Sequence, residues 1–307
     1  FGCFLSLAIP FWIPSWALGP RMWLPRGGAG TALASRLSGS TSTWPSGAWS
    51  EFGRHSLLLI WLDRRAMAGV VIPPFVFSEA VKKFWLIRAE QERRQKQRGT
   101  ADQGARAAVT GGKQMDGFAE KITELILGTS LPPEAICTRG RGIVGLPGYY
   151  RPRKEWDLVV VHAGRLLAAI ELKSHIGPSF GNNFNNRVEE ALGTAVDTWT
   201  AYREGAFGTK PQPWLGYLLL IEDCSGSTAV TGIPPTHFGV QEVFRDTSYL
   251  QRYVIFCRRL LLEKQYHGVC LLAARKEDAH CERNYSEPDP DLGASPFLSA
   301  LLHACRA

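Results

Sequence analysis

The sequence lacks the paired cysteines from which small disulfide scaffolds and zinc ribbons are built. Its seven cysteines are odd in number, they are scattered through 307 residues, and no two of them have CxxC spacing. This pattern favours reduced thiols, as in a cytoplasm, over a secreted disulfide framework. His267, Cys270, His280 and Cys281 lie near one another in the sequence, but without paired loops they do not indicate a zinc site.

A long, uninterrupted apolar run is also missing. The apolar stretch at the start of the chain precedes the first charged residue, Arg21, and is interrupted by Pro10 and Pro14. A signal peptide begins with basic residues, and a membrane-spanning helix needs about 20 apolar residues. The stretch therefore indicates neither secretion nor a membrane span, and we expect a cytoplasmic protein without membrane association.

Residues 1–66 lack the periodicity of an ordinary helix or strand. They contain six of the ten tryptophans among Gly, Ser and Pro residues, and the chain begins with Phe, whereas ordinary globular composition begins at Met67. We therefore interpret residues 1–66 as a non-native upstream translation or a disordered segment. The working domain is expected to span residues 67–307.

Positive charge is present only in moderate excess. The net charge is +7, and residues 1–66 supply most of it, with six arginines against Glu51 and Asp63. A polyanion such as DNA would therefore have to bind to local clusters of Lys and Arg in the working domain. The charged tract 88–98 is one such cluster, although it is more typical of a solvated helix end than of a phosphate contact.

Helical spacing predicts two helices in an N-terminal helical part, residues 67–128. The first lies within residues 74–98. The second is indicated by apolar residues at positions i, i+4, i+7 and i+8, and a glycine follows it; the residues are Phe118, Ile122, Leu125, Ile126 and Gly128. Three acidic residues, Asp116, Glu120 and Glu124, fall on the other side of this helix.

Two short apolar runs follow, residues 156–161 (WDLVVV) and 166–172 (LLAAIEL), separated by only four residues. Runs of this composition at this spacing predict a β-hairpin. A three-residue loop at positions 162–164 would set a register that pairs Asp157 with Ala169.

Three side chains with catalytic potential are expected to meet on this hairpin. In that register, the alternation of side chains places Asp157, Glu171 and Lys173 on one face. Mg²⁺ prefers oxygen ligands and needs only one or two carboxylates beside a substrate phosphate. Asp157 and Glu171 are therefore candidate metal ligands, and Lys173 is a candidate for holding or deprotonating an attacking water. On the residues alone, a purely solubilising role for these charges remains open.

A polar segment comes after Lys173 and suits DNA. Asparagine reads adenine and arginine reads guanine in the major groove, and both bind phosphates. The candidates are Asn182, Asn183, Asn185, Asn186 and Arg187. Asparagine also serves helix caps and turns, which is the structural alternative. A helix is predicted from about 187 to 202, with a buried face of Val188, Leu192, Ala195, Val196 and Trp199.

These residues carry a family resemblance. The run from Glu155 to Phe207, which contains WDLVVV, AAIELK and FGNNFNNR, closely resembles the XhoI family of type II restriction endonucleases, and the stretch from Asp102 to Phe118 resembles the N-terminal segment of that family. The resemblance covers most of residues 67–307 and none of residues 1–66. In the second of these stretches, Lys113 and Gln114 are further candidates for DNA contact.

The resemblance implies a fold, an activity and partners. The fold is the α/β core of the PD-(D/E)xK nucleases, a central mixed sheet flanked by helices. The activity is Mg²⁺-dependent cleavage of double-stranded DNA by a homodimer at a palindrome, CTCGAG, with a companion DNA methyltransferase that protects the host. We expect a catalytic core at about residues 116–225 and a C-terminal part at residues 226–307.

The resemblance also assigns residue roles. Asp157 stands for the first acid of the motif, Glu171 and Lys173 for its ExK pair, and Glu120 for the acid of the preceding helix. Trp156 stands where the family motif has proline, which puts only the local backbone geometry in doubt. Two alternatives stay open at this point: another PD-(D/E)xK nuclease, such as a repair or junction-resolving enzyme, and a catalytically inactive DNA-binding protein.

Overall fold

In the computed structural model of the chain, residues 72–98, 113–208 and 211–306 are described. The interpretation of residues 1–66 lies outside these ranges. Among the described residues, no helix combines the length and the apolar character that crossing a bilayer requires.

The described part of the chain contains both helices and strands. The helices are α1 (Ser78–Arg98), α2 (Asp116–Leu127), α3 (Phe180–Arg203), α4 (Ser225–Thr228), α5 (Tyr249–Leu262) and α6 (Ala294–Ala304). The strands are β1 (Ile136–Thr138), β2 (Gly145–Leu146), β3 (Lys154–Glu155), β4 (Leu158–His162), β5 (Arg165–His175), β6 (Trp214–Glu222) and β7 (Gly268–Ala274). The helix predicted around Phe118 is confirmed as α2, and Gly128 follows its last residue.

The described strands form a mixed five-stranded sheet in the order β1–β4–β5–β6–β7. In this sheet the β1–β4 and β4–β5 pairs are antiparallel, whereas the β5–β6 and β6–β7 pairs are parallel. Parallel strands are usually covered on both faces, so they have nearly continuous apolar sequences. β6 and β7 fit this rule, because every residue from Trp214 to Ile221 and from Gly268 to Ala274 is buried. β2 and β3 form a separate small hairpin.

Helices cover both faces of the sheet and give it two cores. On one face α1, α2 and α6 pack through residues such as Phe84, Ile122 and Leu298. On the other face α3 and α5 pack through residues such as Trp199 and Tyr253. This is the mixed sheet flanked by helices that the family resemblance implies, so the predicted fold class is confirmed.

The register of the β4–β5 hairpin differs from the prediction. The loop has two residues, Ala163 and Gly164, both with positive φ (49° and 70°), and Val159 rather than Asp157 pairs with Ala169. Two positive φ values in a two-residue loop make a tight turn whose twist matches that of the strands. A β-bulge at Leu167 adds a second one-residue step, since Val160 pairs with Ala168 and Val161 with Leu166. Together the two steps move the register by two residues.

Helix α3 differs from the prediction in length and in orientation. It begins at Phe180, so the asparagine-rich segment forms its first turns rather than a loop. Leu192 and Val196, which were expected to be buried, are 40% and 43% exposed. Ala195 and Trp199 are buried as predicted, and Ala191 joins them on the core face, because small side chains allow the helix to approach the sheet closely.

The part of the chain after residue 225 does not stand apart from the core. Residues 226–307 contribute β7 to the central sheet and α5 and α6 to its two faces. β7 runs parallel to β6, so the connection between them must cross over the sheet, and α5 lies in that connection. The sheet is therefore completed only by a strand far along the chain. The segment expected to be C-terminal to the core thus builds part of it.

Candidate active site

Asp157 occupies a bend immediately before β4. Its backbone N–H donates to the carbonyl of Ile170 at 3.2 Å, and its Oδ2 accepts the N–H of Leu172 at 2.8 Å. The side chain therefore continues the hydrogen-bond ladder where the strand pairing ends. Leu172 lies between Glu171 and Lys173, so this bond holds the Asp157 carboxylate against the backbone of the ExK segment.

Asp157, Glu171 and Lys173 were expected to lie on one face of the hairpin. Strand alternation places only Glu171 and Lys173 on the same face. Asp157 precedes the regular strand, and its neighbour Trp156 packs in the same core as Val159, which simple alternation would not allow. The Asp157 carboxylate reaches the ExK segment through the Leu172 N–H, from the end of the strand. The predicted pairing of Asp157 with Ala169 was wrong, because of the two-residue turn and the bulge.

Glu171 is buried between two lysines. Its Oε1 lies 2.5 Å from Lys173 Nζ, and its Oε2 accepts from Lys154 Nζ at 2.8 Å. Its side chain is only 4% exposed, and the two lysines are 22% and 14% exposed. Burial by itself raises the pKa of Glu171, but the ammonium groups of Lys173 and Lys154 outweigh it, and the net pKa is lowered. Glu171 is therefore ionised in the free protein.

The pKa of Asp157 is shifted in the opposite direction from that of Glu171. Burial and the negative charge of Glu171 raise its pKa, and the Leu172 N–H and Arg139 offset only part of that effect. Arg139, at the tip of the turn after β1, lies 3.0 Å from Asp157 Oδ1 and is 48% exposed. The two carboxylates are close enough for each charge to affect the other, and a cation shared between them would relieve that repulsion.

The donor set fits a hard divalent cation. Two carboxylates on adjacent chain segments are enough for Mg²⁺, which keeps several waters and takes further oxygens from a phosphate. Among the described residues there is no group of three or more His, Cys, Asp or Glu side chains that could hold a metal. Asp157 and Glu171 therefore remain the candidate ligands, and the other positions would be filled by water and substrate.

Two cavities flank this arrangement. One, of about 430 Å³, is lined by Asp157, Leu172, Arg139 and residues of α2 that include Glu120. The other, of about 590 Å³, is lined by Glu171, Lys173 and Lys154 together with residues of α3 and of the β2–β3 loop. Both cavities are open to solvent, so the site can be reached by a phosphodiester at the end of the β4–β5 hairpin.

Glu120 lines the same cavity as Asp157 but has a partner of its own. It pairs with Lys83 of α1 at 2.5 Å, and its side chain is 64% exposed. Its acidic neighbour Asp116 also lines the cavity, and burial raises the pKa of Asp116. The structure thus brings Glu120 to the site without joining it to Asp157 or Glu171.

The candidate DNA-contacting residues fall into two groups. Asn182, Asn185 and Asn186 are exposed on the first turns of α3, whereas Asn183 is half-buried. Arg187 donates to the carbonyl of Ser174 at 3.4 Å and pairs with Glu190, so it ties α3 to the end of β5.

The other group, Lys113 and Gln114, precedes α2, and its two side chains differ in exposure. Lys113 is exposed, but Gln114 is only 5% exposed and donates to Gln91 of α1 at 2.8 Å. A buried side chain whose amide is already hydrogen-bonded cannot meet a base edge without rearrangement, so Gln114 joins two helices rather than facing substrate.

Sequence reasoning missed Lys154 and Arg139. Lys154 lies in the two-residue strand β3, between segments rich in Pro and Gly, and so short a strand produces no periodic signal. The run Lys154-Glu155-Trp156-Asp157 was the available hint, since a basic residue stands just before the candidate catalytic acid. Arg139 had no signal, because it meets Asp157 only through the pairing of β1 with β4.

Comparison with known proteins identifies a family and relatives of this chain. A family profile described as restriction endonuclease XhoI matches residues 94–287. The chain is 48% identical over 212 residues to the type II restriction enzyme BstVI of Geobacillus stearothermophilus, a match that covers 67% of this chain and 93% of that enzyme. It is 46% identical over 183 residues to the type II restriction enzyme XhoI of Xanthomonas vasicola, covering 60% of this chain and 73% of that enzyme.

A third relative belongs to the same class. The type II restriction enzyme AbrI of Azospirillum brasilense is 48% identical over 160 residues, which are 52% of this chain and 71% of that enzyme. No solved structure matches the chain. The profile spans more than half of the chain, and its range includes Lys154, Glu171 and Lys173. The chain therefore belongs to the XhoI family of restriction endonucleases, which are type II site-specific deoxyribonucleases.

Proposed function

We propose that the chain cuts duplex DNA by Mg²⁺-dependent hydrolysis and that Asp157, Glu171 and Lys173 carry the reaction. The observation that supports the proposal most directly is the ionised Glu171, buried between two lysines and coupled to a second buried carboxylate. A buried cluster of this kind is costly unless its charges serve a substrate or an ion.

In this proposal each side chain has a separate task. Asp157 and Glu171 would hold the metal, and a Mg²⁺ ion bound there would polarise the scissile phosphate and stabilise the charge that develops on it. The Lys173 ammonium would orient the attacking water and stabilise the hydroxide that forms when that water loses its proton to solvent. Lys154 keeps Glu171 ionised and oriented by donating a hydrogen bond to one of its carboxylate oxygens. Glu120 remains a candidate for a supporting role from α2.

The finer features of the function are proposals that rest on the family. They are a palindromic target with the sequence CTCGAG, a homodimer that matches the symmetry of the palindrome, and a companion methyltransferase that protects the same site without forming a stable complex. The proposed role places the chain in the cytoplasm, with residues 67–307 as the nuclease. Lys113, the exposed asparagines of α3 and Arg187 are the proposed DNA contacts.

The direct test is to incubate the 307-residue chain with plasmid DNA, with and without Mg²⁺. We expect discrete fragments whose ends map to CTCGAG in the presence of Mg²⁺, and intact plasmid in EDTA. A smear would contradict site-specific cutting. DNA that is shifted in a gel but uncut would contradict the proposed chemistry.

Variants assign the residues. Asp157→Ala and Lys173→Ala should abolish cleavage and leave DNA binding largely intact, because base and backbone contacts come from other residues. Lys276→Ala is the matched control, since Lys276 is exposed, pairs with Glu92 and lines neither cavity. Undiminished cutting by Asp157→Ala would reject the assignment.

A further inference from the structure

Two adjacent tyrosines project from the loop between β2 and β3. Tyr149 is 53% exposed and Tyr150 is 71% exposed, and their rings meet edge to face with centroids 4.9 Å apart. Large aromatic side chains side by side on a surface are typical of a contact with a partner. Nothing in the proposed cleavage chemistry uses this pair.

The loop is built to hold the tyrosines in place. Asp197 of α3 has a side chain only 4% exposed, and its Oδ1 accepts the backbone N–H groups of both Tyr149 and Tyr150 at 2.8 Å. Its Oδ2 accepts from Arg151 Nε at 2.6 Å. A Cβ atom at position 148 would lie 2.7 Å from both the Arg151 carbonyl and Asp197 Oδ2, so glycine is required there. A buried carboxylate with three donors fixes the loop rigidly.

The hairpin under the loop is equally well anchored. Leu146, Val144 and Trp156 are buried in the core beneath α3 and α5. The Trp156 N–H donates to the Val144 carbonyl at 3.0 Å, which extends the pairing of β2 with β3 towards Asp157. The tyrosine pair is therefore connected to the candidate catalytic acid by a short stem that is anchored in the core by Val144, Leu146 and Trp156.

The loop borders the candidate active site. Tyr150 and Arg151 line the same cavity as Glu171, Lys173 and Lys154. Arg151 and Arg153 expose 42% and 58% of their side chains beside the tyrosines. Rigid aromatic rings flanked by guanidinium groups suit nucleic acid, because rings pack on sugars and bases while guanidinium groups approach phosphates.

We propose that residues 147–153 form a DNA-contacting loop in which Tyr149 and Tyr150 pack against the duplex next to the scissile phosphate. The inference rests on the proposed function, since it takes the substrate of the same site. Its occupant is duplex DNA rather than a second protein, because the loop is continuous with the cavity that holds the catalytic lysine. Asp197 acts as a positioning residue that sets the angle of the loop.

The test measures binding and cutting of one duplex that carries CTCGAG. Affinity is measured with Ca²⁺ in place of Mg²⁺ by fluorescence anisotropy, and cleavage is measured with Mg²⁺. The Tyr149→Ala/Tyr150→Ala double variant should bind the duplex roughly tenfold more weakly or worse. Its KM should rise in parallel, while kcat at saturating DNA stays close to that of the wild type. Its melting temperature should not change, since both rings are exposed.

Two further variants sharpen the result. Tyr150→Phe keeps the ring and should retain most of the affinity, whereas Leu86→Ala is a control for loss of exposed apolar surface at a residue that lines neither cavity. Asp197→Asn removes the negative charge that holds the loop in place. It should therefore weaken DNA binding and lower kcat together, as expected for a positioning residue.

Specific outcomes would overturn the inference. If the wild type cuts the duplex and the double alanine variant binds it equally well, the loop does not contact DNA, although the proposed function stands. If the double variant converts a dimer into monomers in sedimentation, a second copy of the chain covers the rings, and the inference is wrong. If the wild type neither binds nor cuts, the proposed function and the inference fail together.

Discussion

The two candidate metal ligands should respond oppositely when each carboxylate is neutralised in the metal-free protein. The lowered pKa of Glu171 means that its ionised form stabilises the fold. That contribution is present above the usual pKa of 4.5 and is lost as the pH falls through the lower folded value. The raised pKa of Asp157 means that its ionised form costs stability, fully so at pH values above the raised pKa.

The loss of stability expected for Glu171→Gln follows from the contacts of the Glu171 side chain. Glu171→Gln leaves Lys154 and Lys173 facing each other without a counter-charge, and removing one partner of a buried pair costs about 3–5 kcal/mol. The lysines keep 14% and 22% of their side chains in solvent, so we expect the lower end, about 3 kcal/mol. For a domain of this size that lowers Tm by about 6–12 °C.

Asp157→Asn should leave Tm unchanged or raise it slightly. The asparagine oxygen can still accept the Leu172 N–H, while the repulsion from Glu171 is removed. Arg139 loses a partner, but it is 48% exposed and is solvated by water. The assay is thermal unfolding at pH 7.5 in EDTA, followed by circular dichroism.

A double variant provides the internal control. Glu171→Gln combined with Lys154→Met removes the charge left without a partner, so it should recover at least about 1 kcal/mol of the loss. The reasoning is refuted if Glu171→Gln leaves Tm unchanged, or if both single variants lower Tm by the same amount.

Two other predictions concern stability away from the site. Burial and the nearby Arg187 lower the pKa of His175 to about 4, so the folded state resists a proton that the unfolded chain accepts at about 6.5, and stability should fall by up to about 3 kcal/mol as the pH drops through this window. Urea titrations from pH 7 to pH 4 should show this loss in the wild type and a smaller one in His175→Gln; parallel profiles would contradict it. Ala163 has a φ of 49°, which asparagine tolerates better, so Ala163→Asn should raise stability by about 0.5–1 kcal/mol, and Gly164→Ala should lower it by about 1 kcal/mol. Equal Cm values for the wild type and both turn variants would show that the turn conformation is not strained.

Local pattern was enough to predict much of the fold. The stripe of apolar residues on α2 and the apolar runs of β4 and β5 identify those elements, because burial imposes their periodicity. The ExK pair could be placed on one face for the same reason. The register could not be derived, since Leu166 and Leu167 are both apolar and nothing in the sequence marks the bulge between two equally buriable residues.

Contacts distant in sequence account for the other differences. The orientation of α3 is set partly by Asp197, which faces a loop nearly fifty residues earlier in the chain, so its apolar pattern alone pointed to Leu192 and Val196 as core. Arg139, the partner of Asp157, lies in the turn after β1, and Lys154, the second partner of Glu171, lies in β3; both strands are too short for periodicity to detect. The candidate residues on the hairpin could therefore be proposed from the sequence, whereas Arg139 and Lys154 could not.

The bulge at Leu167 and the two-residue turn determine which insertions and deletions the β4–β5 hairpin can accept. Each shifts the hairpin by one position, and together they keep Val159 and Ala169 on one side of the sheet. Leu166 and Ala169 lie on the α3 side of the sheet, whereas Leu167 and Ala168 both lie on the other side, so loss of Leu167 alone would restore regular alternation and leave Glu171 and Lys173 on their present face. The hairpin can therefore lose the bulge residue in the course of divergence, whereas a one-residue insertion or deletion between Ala169 and Glu171 would turn Glu171 and Lys173 to the opposite face.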